Sequence, residues 1–272
     1  MRFLSIIPLL VSLFLINKIN LEKPAIHISK QISSINFDQN YLKVFNFGFA
    51  SMLSSWLWVQ TLLESDIEPY RKKDLNSWMY LRFSSIIALD PKFYEAYLFG
   101  GKYLSIIKDD LRGAEIILNK GLNQYPDDFW LNINAGHNYL FEIGEPEKAI
   151  PIYKKIQFSS MALKYFPILP SIVSKLEKNR GDPESAFNLL QIAHGHQTNE
   201  KFKKYFEEKL YSLKAEMDLN CLNFGKLNCN RIDYKGYPYL EVKKGVFKAK
   251  DPWKTFQLSQ RAMEKIKNKS AN

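Results

Sequence analysis

From residue 90 the chain repeats itself, and few architectures accommodate that. A shift of 35 residues carries Pro91 onto Pro126, Gly101 onto Gly136, Leu104 onto Tyr139, Ala114 onto Ala149, Leu118 onto Tyr153 and Lys120 onto Lys155. A later shift of 37 turns Gly144-Glu-Pro-Glu-Lys-Ala149 into Gly181-Asp-Pro-Glu-Ser-Ala186. Units of this period cannot bury an apolar face alone and must stack on copies of themselves. The apolar spacing makes them helical. Phe93, Ala96, Tyr97, Gly100, Gly101 and Leu104 recur at three and four, as do Ala114, Ile117, Leu118 and Gly121, and then Ala149, Ile152, Tyr153 and Ile156, and Ala186, Leu189, Leu190 and Ala193. Helix starts are marked at Asp90-Pro91, Pro126-Asp127-Asp128, Gly144-Glu-Pro146 and Gly181-Asp-Pro183, because proline tolerates a first turn and acids favour the N-terminal dipole. Pro151 falls inside the second turn of its helix and predicts a kink.

The glycines and alanines lie where paired helices must approach closely. A small residue on one helix admits a large one from its neighbour, and Leu at Gly101 or Ala149 would overpack the contact by about 1–3 kcal/mol. The pattern resembles the tetratricopeptide repeat (TPR): Tyr97, Gly101, Leu104, Ala114, Leu118, Gly121 and Pro126 form one copy, and Gly136, Tyr139, Ala149, Tyr153 and Ile156 the next. It departs from the family in its Gly-to-Ala spacing of 13 rather than 12, which lengthens the turn by one residue, and in Pro167 and Pro170 within the third copy. The resemblance covers roughly residues 60 to 215. It implies an all-α fold, a right-handed superhelical array of TPR-like helix hairpins. It also implies a concave groove lined by the first helix of each pair, with Glu95, Leu98 and Lys102 in one repeat and Trp130, Ile133, His137 and Phe141 in the next. Trp130 stands out independently, since it lies outside the Leu131/Ala135/Tyr139 packing stripe. It is either a partner anchor or a contact to the adjacent repeat.

Flanking segments divide the chain further. Residues 1–17 carry a charge-free apolar run, Phe3 to Ile16, behind Arg2. They read as an uncleaved signal-anchor, with a cleaved signal peptide and a buried helix as alternatives. That reading anchors the chain to a membrane through residues 3–16 and favours an exported body. Residues 18–40 form a polar linker, and residues 41–219 the repeat domain. Within it, the charge-free stretch 44–63 reads as a helix buried in protein, with a second membrane span as the alternative. Residues 198–219 form an amphipathic helix placed to cap the array. Residues 220–272 make a basic extension with a short β-hairpin over Gly236–Lys248 and one last helix beyond Pro252. Cys221 and Cys229, the two cysteines, are either a disulfide or two free buried thiols.

The net charge of +10 is uneven: residues 201–272 hold 17 Lys/Arg against 8 Asp/Glu. Little argues for chemistry. His194-Gly195-His196 lacks a third metal ligand and fits a helix C-terminus, and no G-x-S-x-G, phosphate-binding glycine loop or H-E-x-x-H occurs. The expectation is a non-enzymatic scaffold in a membrane-associated cell-envelope assembly. It needs no cofactor or metal and binds a peptide or helix of a protein partner rather than nucleic acid. The competing expectation is a polyanion binder, for anionic lipid or nucleic acid, acting through the basic extension.

Overall fold

The computed structural model describes residues 28–225 and 228–270. The described residues fall into two units: one, up to Ile35, holds α1 (Lys30–Ser33), and the other begins at Asn36. The second unit carries α2 (Gln39–Val44), α3 (Ala50–Glu64), α4 (Trp78–Leu89), α5 (Tyr94–Ile106), α6 (Leu111–Gln124) and α7 (Phe129–His137). Helix α7 runs into a π-helical turn, Asn138–Ile143, followed by α8 (Pro146–Ile156), α9 (Ser160–Tyr165), α10 (Leu169–Asn179), α11 (Pro183–His196) and α12 (Glu200–Asn223). Strands β1 (Leu240–Lys243) and β2 (Val246–Lys248) and helix α13 (Gln260–Ser270) complete it. The chain is mostly helical, with one small antiparallel hairpin near its C-terminus.

Helices pack in sequence-adjacent pairs: α3 on α4, α5 on α6, α7 on α8, α10 on α11. Helix α5 also meets α7, and α4 meets α6. The repeated small residues make the pairs close. A Cβ on Gly101 would lie 2.6 Å from the Leu118 side chain, and one on Gly136 would strike the Tyr153 ring. These are the same contact 35 residues apart. A second equivalence is polar: the Tyr97 hydroxyl donates to the Pro91 carbonyl at 3.0 Å, and the Asn132 amide to the Pro126 carbonyl at 3.0 Å.

The turns inside the pairs repeat as well. Asp109 (φ 53°), Gly144 (φ 80°) and Gly181 (φ 92°) are all left-handed, 35 and 37 residues apart. Asp and Gly are among the residues that tolerate this conformation. Each is followed by an acid at the start of the next helix, and Asp110 and Asp182 accept from the amides of Gly113 and Ser185 at 2.9 Å. The lengthened turn takes two forms. In the first copy it is a loop over residues 107–110, while in the second the extra residue is wound into the π-helical turn before Gly144. Pro151 lies inside α8, which continues through it to Ile156.

Several expectations need correcting. Among the described residues no helix is long and apolar enough to cross a membrane. That overturns the membrane-anchored, exported placement; the run at residues 3–16 lies outside the described residues. The described part of the 18–40 segment is not a plain linker, since α1 interrupts it and α2 starts at Gln39. The 44–63 stretch is buried on one side only. Ser54, Leu57 and Thr61 face α4, whereas Met52, Trp56, Val59 and Leu63 are exposed. Small hydroxyl residues win the interface because Ser54 and Thr61 satisfy themselves on their own helix, bonding the carbonyls of Ser51 and Leu57.

At the other end α12 starts two residues later than expected and runs four residues further, to Asn223; it carries Cys221, which is bonded to Cys229 with Cα atoms 5.6 Å apart. The hairpin pairs Leu240 with Lys248 and turns at Gly245 (φ 77°). It starts later than Gly236, since Pro238 makes only an isolated bridge to Ile232. Tyr239 and Ala249 on either side of it close over Tyr211, Ala215, Leu219 and Leu222 of α12.

Candidate partner-binding groove

The first helices α5 and α7 were expected to present seven groove residues, and the structure sorts them into three groups. Glu95 and Lys102 are exposed on α5. Leu98 is not available: at 9% exposure it belongs to the core with Ala96, Tyr97 and Leu104. Its neighbour Phe99 is the exposed apolar residue, and Ile106 two turns on is exposed too. Positions 95, 99, 102 and 106 thus form the free stripe of α5. Sequence reasoning missed Phe99 and Ile106, although both stand outside the Ala96/Tyr97/Gly100/Gly101/Leu104 packing set.

Trp130 opens the stripe of α7. Its ring meets Phe129 edge-on at 5.1 Å and lies 5.6 Å from the Tyr165 ring of α9. It nevertheless keeps 41% of its surface exposed, so it both contacts the following element and remains accessible. Ile133, His137 and Phe141, at the spacing that continues this stripe, are half-buried. His137 stacks on Phe141 at 5.0 Å. The chain's own C-terminal helix packs on the π-helical turn that continues this stripe. Leu258 and Ala262 share a single apolar cluster with Phe129, Tyr139 and Leu140, and Met263 and Ile266 pack on it beside Ile133 and Phe141.

The C-terminal segment is held by charge as well as apolar contact. Arg261 pairs with Glu142, Lys265 approaches the other Glu142 oxygen at 3.9 Å, and Lys269 lies 3.3 Å from Glu145. Hydrogen bonding from Lys148, against partial burial and with help from Lys269, holds the Glu145 carboxyl below the ordinary carboxylate range. Upstream, the Phe256 ring is buried against Phe206 and Leu210, and its amide donates to Glu216 at 3.0 Å while Lys178 takes its carbonyl at 2.6 Å. His137 feels the segment directly: burial first, then the Arg261 and Lys102 charges, push its imidazole below the usual value of 6.5.

Beside α13 opens a cleft of about 550 Å³ with Arg71, Lys72 and Lys73 on one wall and Lys265 and Lys269 on another. Part of this charge is internally matched, since Arg71 bonds Asp109 at 2.8 Å. A second cleft, about 800 Å³, lies between α12 and Tyr234, Lys235 and Trp253. The two histidines of the His194-Gly195-His196 segment serve the packing of α11. His194 Nε2 lies 3.0 Å from a Glu207 oxygen, and the His196 ring stacks on Phe158 at 5.3 Å. No group of three or more His, Cys, Asp or Glu suited to a metal occurs among the described residues. Comparison with known proteins adds nothing to this geometry: no family model, curated protein or solved structure matches the chain.

Proposed function

We propose that the chain is a non-enzymatic protein-interaction scaffold, a right-handed array of TPR-like hairpins that grips a peptide or helix of a partner protein along its first helices. The observation that carries the reading is the stripe of Glu95, Phe99, Lys102 and Ile106 on α5 with Trp130 on α7. All five are exposed while the packing faces of both helices are complete without them. Large aromatic side chains left accessible beside a charged residue are the composition of binding hot spots. The paired contacts at Gly101 and Gly136, and the like-to-like stacking of α5 with α7 and α4 with α6, support the repeat reading. Recovery of bound proteins by the full chain, by Trp130→Ala and by Lys102→Ala tests it. Both variants are expected to melt like the parent and to lose a common partner. Unchanged recovery of every partner would sink the reading.

A second reading, binding of polyanions such as nucleic acid, rests on the basic cleft beside α13. It is the weaker one, because Arg261, Lys265 and Lys269 already face carboxylates of the same chain. Removing residues 243–272 would test it badly, since Phe256, Leu258 and Ala262 are core residues. Lys72→Glu with Lys73→Glu is cleaner. This reading expects a steep loss of binding to a mixed-sequence single strand, with a salt dependence that weakens alongside.

A further inference from the structure

The seat of α13 has the features of a ligand site whose ligand is part of the chain. Its floor is the end of α7 and the π-helical turn. Gly144 keeps the floor low: a side chain there would come within 2.6 Å of the Lys265 carbonyl oxygen, so the backbone of α13 rests on that glycine. Its apolar wall takes Leu258, Ala262 and Ile266, spaced by four. Its acidic rim, Glu142 and Glu145, takes Arg261, Lys265 and Lys269, also spaced by four. The occupant therefore reads as two adjacent stripes on one helix, a cation immediately before an apolar or small residue at each step: Arg261-Ala262, then Lys265-Ile266.

The occupant is also lightly held. Among the described side chains of α13, Ala262 alone is fully buried. The Arg261 and Lys269 side chains remain 63% and 50% exposed, so water and salt screen their ion pairs. An 11-residue helix has little stability of its own, and residues 252–259 leading to it form neither helix nor strand. A helix marginal alone, docked on a tether through solvent-screened ion pairs and one fully buried side chain among those described, is open to exchange with a competitor of the same chemistry.

We propose that this face of α7 and the π-helical turn is a docking groove for a basic amphipathic helix of a partner protein, with cations at i, i+4 and i+8 beside an apolar stripe, and that α13 occupies it in cis until such a helix displaces it. This rests on the scaffold reading above and names the partner's chemistry. Glu142 and Glu145 select the cations, and Gly144 selects a helix that lies close.

The test uses the full chain and, as probe, a labelled peptide of residues 255–270. Ala262→Arg unseats α13 by forcing a long charged side chain into a buried position. Arg261→Glu/Lys265→Glu/Lys269→Glu, all surface changes, unseats it by repulsion and serves if Ala262→Arg does not fold. Peptide binding by fluorescence anisotropy is expected to be about tenfold or more tighter to an unseated chain than to the parent, because the tethered competitor is gone. Glu142→Lys added to the unseated chain should abolish the gain. Amides of residues 260–270 in the parent should exchange faster when peptide is added. Folded, unseated chains that bind the peptide no better than the parent overturn the proposal. So does a concentration-dependent dimer of the parent in which α13 is exchanged, since the occupant would then be a second copy. Because the probe is the chain's own helix, the result is independent of the Trp130 pull-down. Peptide failure with a Trp130-dependent partner removes this inference alone, and peptide binding without any such partner removes the broader scaffold reading.

Discussion

Helices α3 and α12 treat their outer apolar faces in opposite ways. Outside α3 lie Met52, Trp56, Val59 and Leu63, exposed, on a stretch with no charge between Lys43 and Glu64. The apolar faces of α12 are covered instead, by Tyr239 and Ala249 on one side and by Phe256 on another. Charge explains part of the contrast. Helix α12 intersperses apolar residues with Lys and Glu, and its apolar residues fall into two separate buried clusters. Helix α3 is uncharged up to Glu64, and close packing decides which side turns inward. Ser54 and Thr61 let α4 approach; Trp56 would hold it off. Large residues still fill the interface beside the two small ones, since Leu57 is buried there and Trp58 meets the Phe83 ring at 5.9 Å.

The strongest way to break this contrast is to uncover the covered end. Phe256→Ala removes a ring buried to 2% between α11 and α12, and should destabilise the chain by about 3–5 kcal/mol. Denaturant unfolding followed by circular dichroism measures it. A loss below about 1 kcal/mol would mean that the strap over α12 contributes little and that the two ends differ only in appearance.

The role of close packing at α3 has a sharper counterpart in the middle of the molecule. Gly101→Leu should cost about 1–3 kcal/mol by overpacking Leu118. Phe99→Leu, two residues away on the open stripe of the same helix, should stay within about 0.5 kcal/mol. Equal effects at the two positions would refute the assignment of inward and outward faces on α5.

A smaller effect comes from the histidine under the cover. His137 is held below its ordinary value of 6.5 by burial, Arg261 and Lys102. The folded state thus favours the neutral ring, while the unfolded chain takes up a proton near 6.5. Stability is full above that value and falls as pH drops through it, because the unfolded state then binds more protons. Thermal midpoints taken from about pH 7.5 down to about pH 5.5 should fall more for the parent than for His137→Gln. Identical profiles would show that the folded state does not disfavour the charged imidazole.

Much of this was legible in the residues, and the exceptions share a cause. Gly101, Gly136, Ala114 and Ala149 announced close helix pairs, and Pro146 and Asp182-Pro183 announced helix starts, because both signals are local. The Gly245 turn was local too, while the sequence left Cys221 and Cys229 open between a disulfide and two thiols. Leu98 went wrong because a family register assigns a face to within about one residue, and the neighbouring Phe99 is the one that faces out. The seat of α13 was invisible for a deeper reason. Periodicity shows that Leu258, Ala262 and Ile266 form a face, but the Arg261–Glu142 pair joins residues 119 apart, and no spacing names that partner. The basic extension therefore read as a tail for polyanions, when three of its cations are spent on the chain's own carboxylates. The orientation of α3 was hidden similarly: a run without charge says that burial is favourable and not which side achieves it.

The smallest expected effect tests the uncovered end. If Met52, Trp56, Val59 and Leu63 take no part in the packing of α3 on α4, then Trp56→Ser with Leu63→Ser should change unfolding free energy by no more than about 0.5 kcal/mol per site. The same pair of changes should raise the concentration at which the chain stays monodisperse in light scattering, since a bare apolar stripe promotes association. Thr61→Ala is the control, a hydroxyl and a methyl deleted from the buried side, where the hydroxyl bonds the Leu57 carbonyl at 2.6 Å. It should cost more than both serines together, because a well-packed interface loses contacts while an exposed side chain loses only water. Were the serine pair the more damaging, the exposed stripe would be a structural face in solution, and the contrast between α3 and α12 would be one of partner rather than of burial.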